Sequence, residues 1–312
     1  MKIRANGIAI EAEASGPASD ASGQPRPRVL LIMGLGMQLV AWPALFIDAL
    51  VDEGFHVVRF DNRDAGLSQN FDALGTPNLM WEGLKYKLGW TIKPPYTLQD
   101  MAADALGVMD ALNIKKAHVV GVSMGGMIAQ HLALLAPSRV ASLVSIMSSS
   151  GARSLPPPQA VATRALLSRP RNKSREAAIE HTMKLLKTIG SPGFATDDVE
   201  LRELVTAAMQ RAYNPQGILR QLVAVVSDSR RAAALARITA PTLVVHGASD
   251  PLVPLACGQD TAKRIPGARL EAIEGMGYDL APGVIERLLP LLVAHVNSAS
   301  GKAAFTQGAA AY

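Results

Sequence analysis

Short, continuous apolar runs alternate with amphipathic stretches through most of the chain. Residues 2–13 alternate in the manner of strands, with Ile3 and Ala5 before an Asn6-Gly7 turn signal and Ile8 and Ile10 after it. A Pro/Gly/Ser loop follows at 16–27. Short runs at 29–33, 56–60 and 117–122 predict buried strands, and 143–147, 242–246 and 269–273 predict further strands of an alternating α/β pattern. Helical spacing fills the intervals 43–53, 97–112, 124–135 and 283–296. In 97–112, Leu98, Met101, Ala105 and Leu112 share one side, and Thr97 stands as N-cap ahead of Asp100. Alternating buried strands and helices predict an α/β fold with a mostly parallel central sheet flanked by helices.

One block breaks the alternation. Residues 151–240 open on Pro156-Pro157-Pro158, close on Ala240-Pro241, and carry only helical patterns, clearest at 176–189 and 198–213. They predict a helical cap inserted between strands 6 and 7 of a core formed by 1–150 and 241–312. The end, 297–312, is small and polar and is expected to fray.

Charge sharpens this division. The 312-residue chain has a net charge of +5, yet 151–240 holds 14 Lys+Arg against 7 Asp+Glu while the remainder holds 17 against 19. The excess is therefore not a whole-chain nucleic-acid footprint. It reads either as solvated Lys and Arg on helix faces or as an attraction for a weakly anionic substrate or surface. The uncharged segments 29–47 and 117–138 are long enough to span a membrane, but their glycines, prolines, Gln38, Gln130 and His131 fit strand-turn-helix units instead. The start, MKIRANGIAIEAEASG, lacks the apolar region of a signal peptide, so a soluble, cytoplasmic protein without membrane partners is expected. Cys257 is the single cysteine, which excludes a disulfide framework. Gly34-x-Gly36 is no dinucleotide fingerprint, because position 39 is Leu, and neither a P-loop nor a His-Glu-x-x-His motif occurs. No cofactor, metal or nucleic-acid partner is predicted; oligomeric state is not legible.

Chemistry enters at Gly121-Val122-Ser123-Met124-Gly125, followed by Gly126. G-x-S-x-G between a strand and a helix is a nucleophile elbow: a strained turn lifts the serine hydroxyl off the sheet, and small residues let the chain turn that tightly. The helix N-terminus behind it aims N–H groups at a developing oxyanion.

With that motif, the segments LIMGLG (31–36), DNRDAGLS (61–68), PTLVVHGASDPLVP (241–254) and IEGMGYDL (273–280) resemble the α/β-hydrolase superfamily, over about residues 2–297. Within it the chain is similar to the small serine esterases of the aclacinomycin-methylesterase type. The resemblance implies an α/β-hydrolase fold, a small-molecule ester substrate and a seryl acyl intermediate. Ser123 is implied as nucleophile, the N–H groups of Leu35 and Met124 as oxyanion hole, and Asp250 as the acid that orients the base. Gly34, Gly36 and Met276 are expected beside the substrate. Asp250 also suits a turn before Pro251, and the loop Ser148-Ser149-Ser150 holds no competing carboxylate.

The pattern breaks at the base. These esterases have Gly-Met-Gly-His where this chain has Gly275-Met276-Gly277-Tyr278. His56, His118, His131, His246 and His295 read as packing or surface residues, and only His181, in the inserted block, has a route to the serine. A neutral phenol is a poor base at pH 7, and a nearby carboxylate makes it poorer. Three explanations stand: an inactivating His→Tyr substitution; a natural relative that binds a ligand without hydrolysis or uses Tyr278 as proton donor in lyase or cyclase chemistry; or a working hydrolase with another base. A C–C bond hydrolase is the enzymatic alternative. Arg63 and Asp64 are expected to fix a tight turn. Met33, Met37, Met124, Met127 and Met276 are expected to pack around the site, and Trp81, Tyr86 and Trp90 to form a second cleft wall.

Overall fold

A computed structural model describes residues 1–301. The expected hairpin forms as β1 (Lys2–Ala5) and β2 (Ile8–Ser15), and the apolar runs become β3 (Arg28–Ile32), β4 (His56–Phe60), β5 (Ala117–Val122), β6 (Val140–Ile146), β7 (Thr242–Gly247) and β8 (Arg269–Ile273). They make one sheet in the order β1-β2-β4-β3-β5-β6-β7-β8. Pairing is antiparallel for β1/β2 and β2/β4 and parallel from β4 through to β8.

Helices cover both faces, so the central strands β3, β5, β6 and β7 are buried along nearly their whole length, whereas β1, β2 and β8 towards the sheet edges are partly exposed. Outside the sheet-capping region lie α1 (Ala44–Asp52), α2 (Leu79–Lys87), α3 (Leu98–Ala111) and α4 (Met124–Leu135). Along β3, Leu30 and Ile32 join the core under α3 and α4, with Met101, Val108, Ile128 and Leu132. Val29 and Leu31 point the other way, into a core built with Phe46 and Leu50 of α1. The last helix among the described residues, Pro282–Ala299, completes that second core with Leu288 and Leu292.

Between β6 and β7 the regular elements are all helices: α5 (Ala160–Leu167), α6 (Arg175–Ile189), α7 (Asp198–Arg211), α8 (Pro215–Ser227) and the short α9 (Arg231–Ala234). Then come α10 (Leu255–Arg264) and α11 (Pro282–Ala299). The expected frayed end is thus helical as far as Ala299, and the rest of that expectation, from residue 302, lies outside the described residues. The charge-free segments resolve into β3–α1 and β5–α4, and no helix among the described residues is long and apolar enough to cross a membrane.

The apolar core of the inserted helices is thin: Ile179, Leu201 and Val205, flanked by Met183, Leu186 and Met209. Polar contacts to the body supplement it. Here the reading of the positive charge as solvated fails in part, because Arg220 and Arg231 are wholly or almost wholly buried. Arg231 donates to Gln130 Oε1 (2.8 Å) and Ser149 O (2.9 Å) and pairs with Asp228, which also meets His131 Nε2 at 3.0 Å.

The predicted cap of α3 is present and reciprocal. Thr97 Oγ1 accepts from Asp100 N at 3.1 Å, and Asp100 Oδ2 accepts from Thr97 N at 2.8 Å. Thr97→Ala should therefore cost about 1 kcal/mol of folding free energy. Urea unfolding measures it, and an unchanged midpoint would show that the box adds nothing.

Candidate functional site

The elbow is as tight as its glycines require. Ser123 sits at φ +57°, ψ −121°, between the end of β5 and the start of α4. A Cβ at Gly121 would lie 2.2 Å from Gly125 O, and one at Gly125 would lie 2.0 Å from Ile32 O. Only residues without a side chain let the helix pass that close to β3 and β5. Ser123 N donates to Ile146 O (2.9 Å), and Ser123 O accepts from Gly126 N (2.9 Å) and Ser148 Oγ (2.7 Å). The strained backbone is therefore held from three sides.

The loop after β3 comes up against this turn. A Cβ on Gly34 would lie 3.3 Å from Ser123 Cβ. Among the described residues, neither Leu35 N nor Met124 N is taken up in a hydrogen bond. Two free donors flanking a serine are what an oxyanion hole needs. The loop is fixed by neighbours instead of by its own ladder: Asn62 Nδ2 donates to Met33 O (2.9 Å), Asp61 Oδ1 accepts from Leu39 N (2.7 Å), and Gly36 N donates to Gln221 Oε1 (2.7 Å). Gly36, expected beside the substrate, lies under Ile218 of α8. Met276, expected there too, is fully buried in the core with α1 and α11, and its carbonyl accepts from Ser249 N at 2.9 Å. Met276 is thus enclosed by packing, while Gly36 remains partly exposed. Met33, Met124 and Met127 are likewise buried, whereas Met37, Trp81, Tyr86 and Trp90 lie at the surface.

Asp250 follows β7 and does two things at once. Its Oδ1 accepts from Leu252 N and Val253 N, both at 2.8 Å, which is the turn role. Its Oδ2 is buried without a hydrogen-bond partner. Burial pushes the carboxyl pKa up to about 7 against the pull of those two N–H groups, and the charge on Asp279 adds to the rise.

Tyr278 completes the group: its hydroxyl hydrogen-bonds to Ser123 Oγ. Burial raises the phenol pKa, the Ser123 bond opposes the rise, and the Asp250 charge adds to it. The phenol is therefore neutral across the physiological range. The structure thus brings Ser123 and Tyr278 into contact, with Gly34 against Ser123 and Asp250 close enough to act on the phenol electrostatically.

No histidine hydrogen-bonds to Ser123 among the described residues. His56 meets Gly16 O, His118 meets Ser142 Oγ, His295 meets Pro241 O, and His181 lies on α6. His246 had looked like ordinary strand packing, yet its Nε2 is 3.6 Å from Asp250 Oδ2. That nitrogen is committed to Val253 O at 2.7 Å, and Gly258 packs against Nδ1. His and Asp four residues apart at a strand end were the available signal. Among the described residues no group of His, Cys, Asp or Glu side chains could hold a metal ion.

The inserted segment is hydrogen-bonded to the loops after β3, β4 and β8. At the end of α6, Ile189 O accepts from Tyr278 N (2.8 Å), Ser191 Oγ accepts from Gly277 N (2.9 Å), and Ser191 N donates to Asp279 Oδ2 (2.9 Å). From α7 and α8, Arg211 pairs with Asp61 (2.7 Å), and Arg220 grips Asp64 through Nε and Nη2, both at 2.8 Å. Burial alone would raise the Asp64 pKa, but Arg220, Phe71 N and Tyr96 hold it below the usual carboxylate range. Asp64, at φ +65°, does turn the chain tightly, and Arg63 reaches back to Asp104 at 2.6 Å. Sequence inspection missed Gln221, whose Nε2 donates to Arg63 O at 2.7 Å while Oε1 holds Gly36.

The comparisons agree with this architecture. Residues 27–278 match the alpha/beta hydrolase fold family. The chain is 32% identical over 304 residues to the rhodomycin D methylesterase DauP of Streptomyces sp. (strain C5), covering 90% of this chain and 95% of the relative. It is 28% identical over 254 residues to the putative carbamate hydrolase RutD of Pantoea ananatis (strain LMG 20103), covering 80% of each. Among solved structures, a hydrolase from Pseudomonas aeruginosa PA01 superposes with a TM-score of 0.65 at 25% identity, over 96% of this chain and 98% of that one. With its elbow serine, its parallel sheet and a family match over most of its length, the chain belongs to the α/β-hydrolase fold family.

Proposed function

We propose that this protein is a serine esterase of small carboxylic esters whose general base has been replaced, so that it binds esters and turns them over slowly. Ser123 is the nucleophile, Leu35 N and Met124 N receive the oxyanion, and Asp250 is the acid left without its imidazole. Residues 151–240 are the cap that shapes the ester pocket over a core of 1–150 and 241–312, in a cytoplasmic protein.

The hydrogen bond between the Tyr278 hydroxyl and Ser123 Oγ carries this reading. Tyr278 stands at the base's place in the motif and reaches the serine, but it has no use for the serine's proton. To attack a carbonyl, Ser123 must lose that proton as the C–O bond forms. A neutral phenol has no accessible site of sufficient basicity, and the buried Asp250 charge disfavours any phenolate elsewhere in the pair. The oxyanion donors still bind and polarise an ester carbonyl.

Short-chain aryl esters test the reading, assayed with the protein, with Tyr278→His, and with Tyr278→His/Ser123→Ala. Activity that appears with the histidine and vanishes with the alanine is the expected pattern. Saturable ester binding with no activity in any of the three would instead make the fold a receptor.

Gln221 is expected to matter in the active background. Gln221→Leu leaves Gly36 N–H and Arg63 O unpaired beside the oxyanion loop, at about 1–3 kcal/mol for the buried polar groups. In Tyr278→His, stopped-time assays should show kcat falling roughly 10-fold or more with KM little changed, because the oxyanion forms only in the transition state. A change confined to KM would place Gln221 in substrate binding.

A further inference from the structure

The exposed apolar side chains are concentrated where the cations are. In α2 and the four residues after it, Met80 is 88% exposed and Trp90 52%, with Trp81, Leu84 and Leu88 also open to solvent. No α2 residue is buried, so this helix has no apolar face turned into the body. The two indoles are set edge to face at 6.4 Å, with Lys85 over the Trp81 ring at 5.7 Å. Arg153, which leads into α5, sits over the Tyr86 ring at 5.7 Å, so the two segments meet there. On α5, Leu167 is 76% exposed and Val161 and Leu166 are also open.

The net charge over these segments is positive. Residues 73–99 contain Lys85, Lys87 and Lys93 against Glu82, and Glu82 is occupied by Lys85 at 2.8 Å. Residues 151–175 contain six Arg and Lys and no acid. Exposed Trp and Tyr interleaved with Lys and Arg, beside exposed Leu and Met, is the composition that settles at a bilayer interface. A second copy of this face would bring cations against cations.

We propose that the face made by α2, the residues just after it and Arg153 docks on an anionic lipid surface. Lys87, Lys93 and Arg153 supply the attraction, and Met80, Trp81 and Trp90 enter the headgroup region. This departs from the sequence-based expectation of no membrane partner, and it needs no spanning helix. It stands apart from the ester chemistry, since none of these side chains belongs to the catalytic group.

Co-sedimentation of the full chain with vesicles tests it, using phosphatidylcholine alone and phosphatidylcholine mixed with phosphatidylglycerol. Binding to the mixed vesicles, weakened by salt and accompanied by a blue shift of tryptophan emission, is expected. Lys87→Gln/Arg153→Gln should lower the partition coefficient roughly 25-fold, at about fivefold for each cation removed. Trp81→Ser/Trp90→Ser should lower it at least tenfold. Circular dichroism confirms that these surface variants fold. Absence of binding to mixed vesicles, equal binding to both vesicle types, or binding unchanged in both variants overturns the proposal. So does a concentration-dependent dimer, seen by light scattering, that the tryptophan variant abolishes.

Discussion

Tyr278→His should raise kcat/KM for a short-chain aryl ester by ~10²–10⁴-fold, the usual contribution of a positioned general base. The geometry for that gain is in place. Ser123 is already held at the tip of its turn, and the Leu35 and Met124 N–H groups are free. Asp250 Oδ2 is buried and unpartnered, ready to accept an imidazole N–H. An imidazole with one nitrogen toward Asp250 and the other toward Ser123 takes the serine proton and later returns it to the leaving alcohol. The Tyr278 backbone is fixed by Ile189 O, so the new ring starts from the right place. A folded histidine variant with no gain in initial rate would remove the esterase reading. High activity in the unaltered chain, retained in Tyr278→Phe, would show that a base operates from elsewhere.

Asp250→Asn should make the protein more stable at neutral pH by about 4 kcal/mol, and leave it nearly unchanged in mild acid. Between about pH 4, where the unfolded carboxyl releases its proton, and about pH 7, where the native one does, the folded chain binds the extra proton. Stability contributed by this group therefore falls as pH rises through that window. Asparagine keeps an oxygen for Leu252 N and Val253 N and never ionises. Urea unfolding of both proteins at about pH 4.5 and about pH 7.5 reads the difference directly. Parallel pH profiles would mean that the native carboxyl ionises as easily as in the unfolded chain. In Tyr278→His the same window should narrow, because the imidazole gives Oδ2 a partner.

The sheet was legible in the sequence because its central strands are continuous apolar runs closed by turns and β1 and β2 alternate about an Asn-Gly turn, both local signals. The elbow was legible for the same reason: five adjacent residues impose the strain that Ser123 shows. Helices with an apolar stripe were found nearly to the residue, as with α4. Those without one were missed: α2 buries nothing, and α10 buries only Cys257, Gly258 and Thr261, none of which makes a hydrophobic period. Partnerships between distant residues were also invisible. Arg220 lies 156 positions from Asp64, and nothing in its own segment marks it as buried. Asp250 was read as either a turn residue or a catalytic one; its two oxygens divide those tasks. Gly36 and Met276 were assigned to the substrate from motif position, although Met276 is enclosed by packing with α11 and Gly36, partly exposed, lies under Ile218 of α8.

The lacing of the inserted helices to the body bears on how such a protein can be rebuilt. Segment 151–240 looks like a module to cut out, or to exchange for a relative's to change specificity. Excision would strand Asp61 and Asp64 in the interior without Arg211 and Arg220, and unpaired buried carboxylates cost several kcal/mol each. Gly36 and Gly277 would lose their acceptors in the same cut. Transplantation therefore succeeds only as an exchange of whole seams, with both sides of each pair carried together.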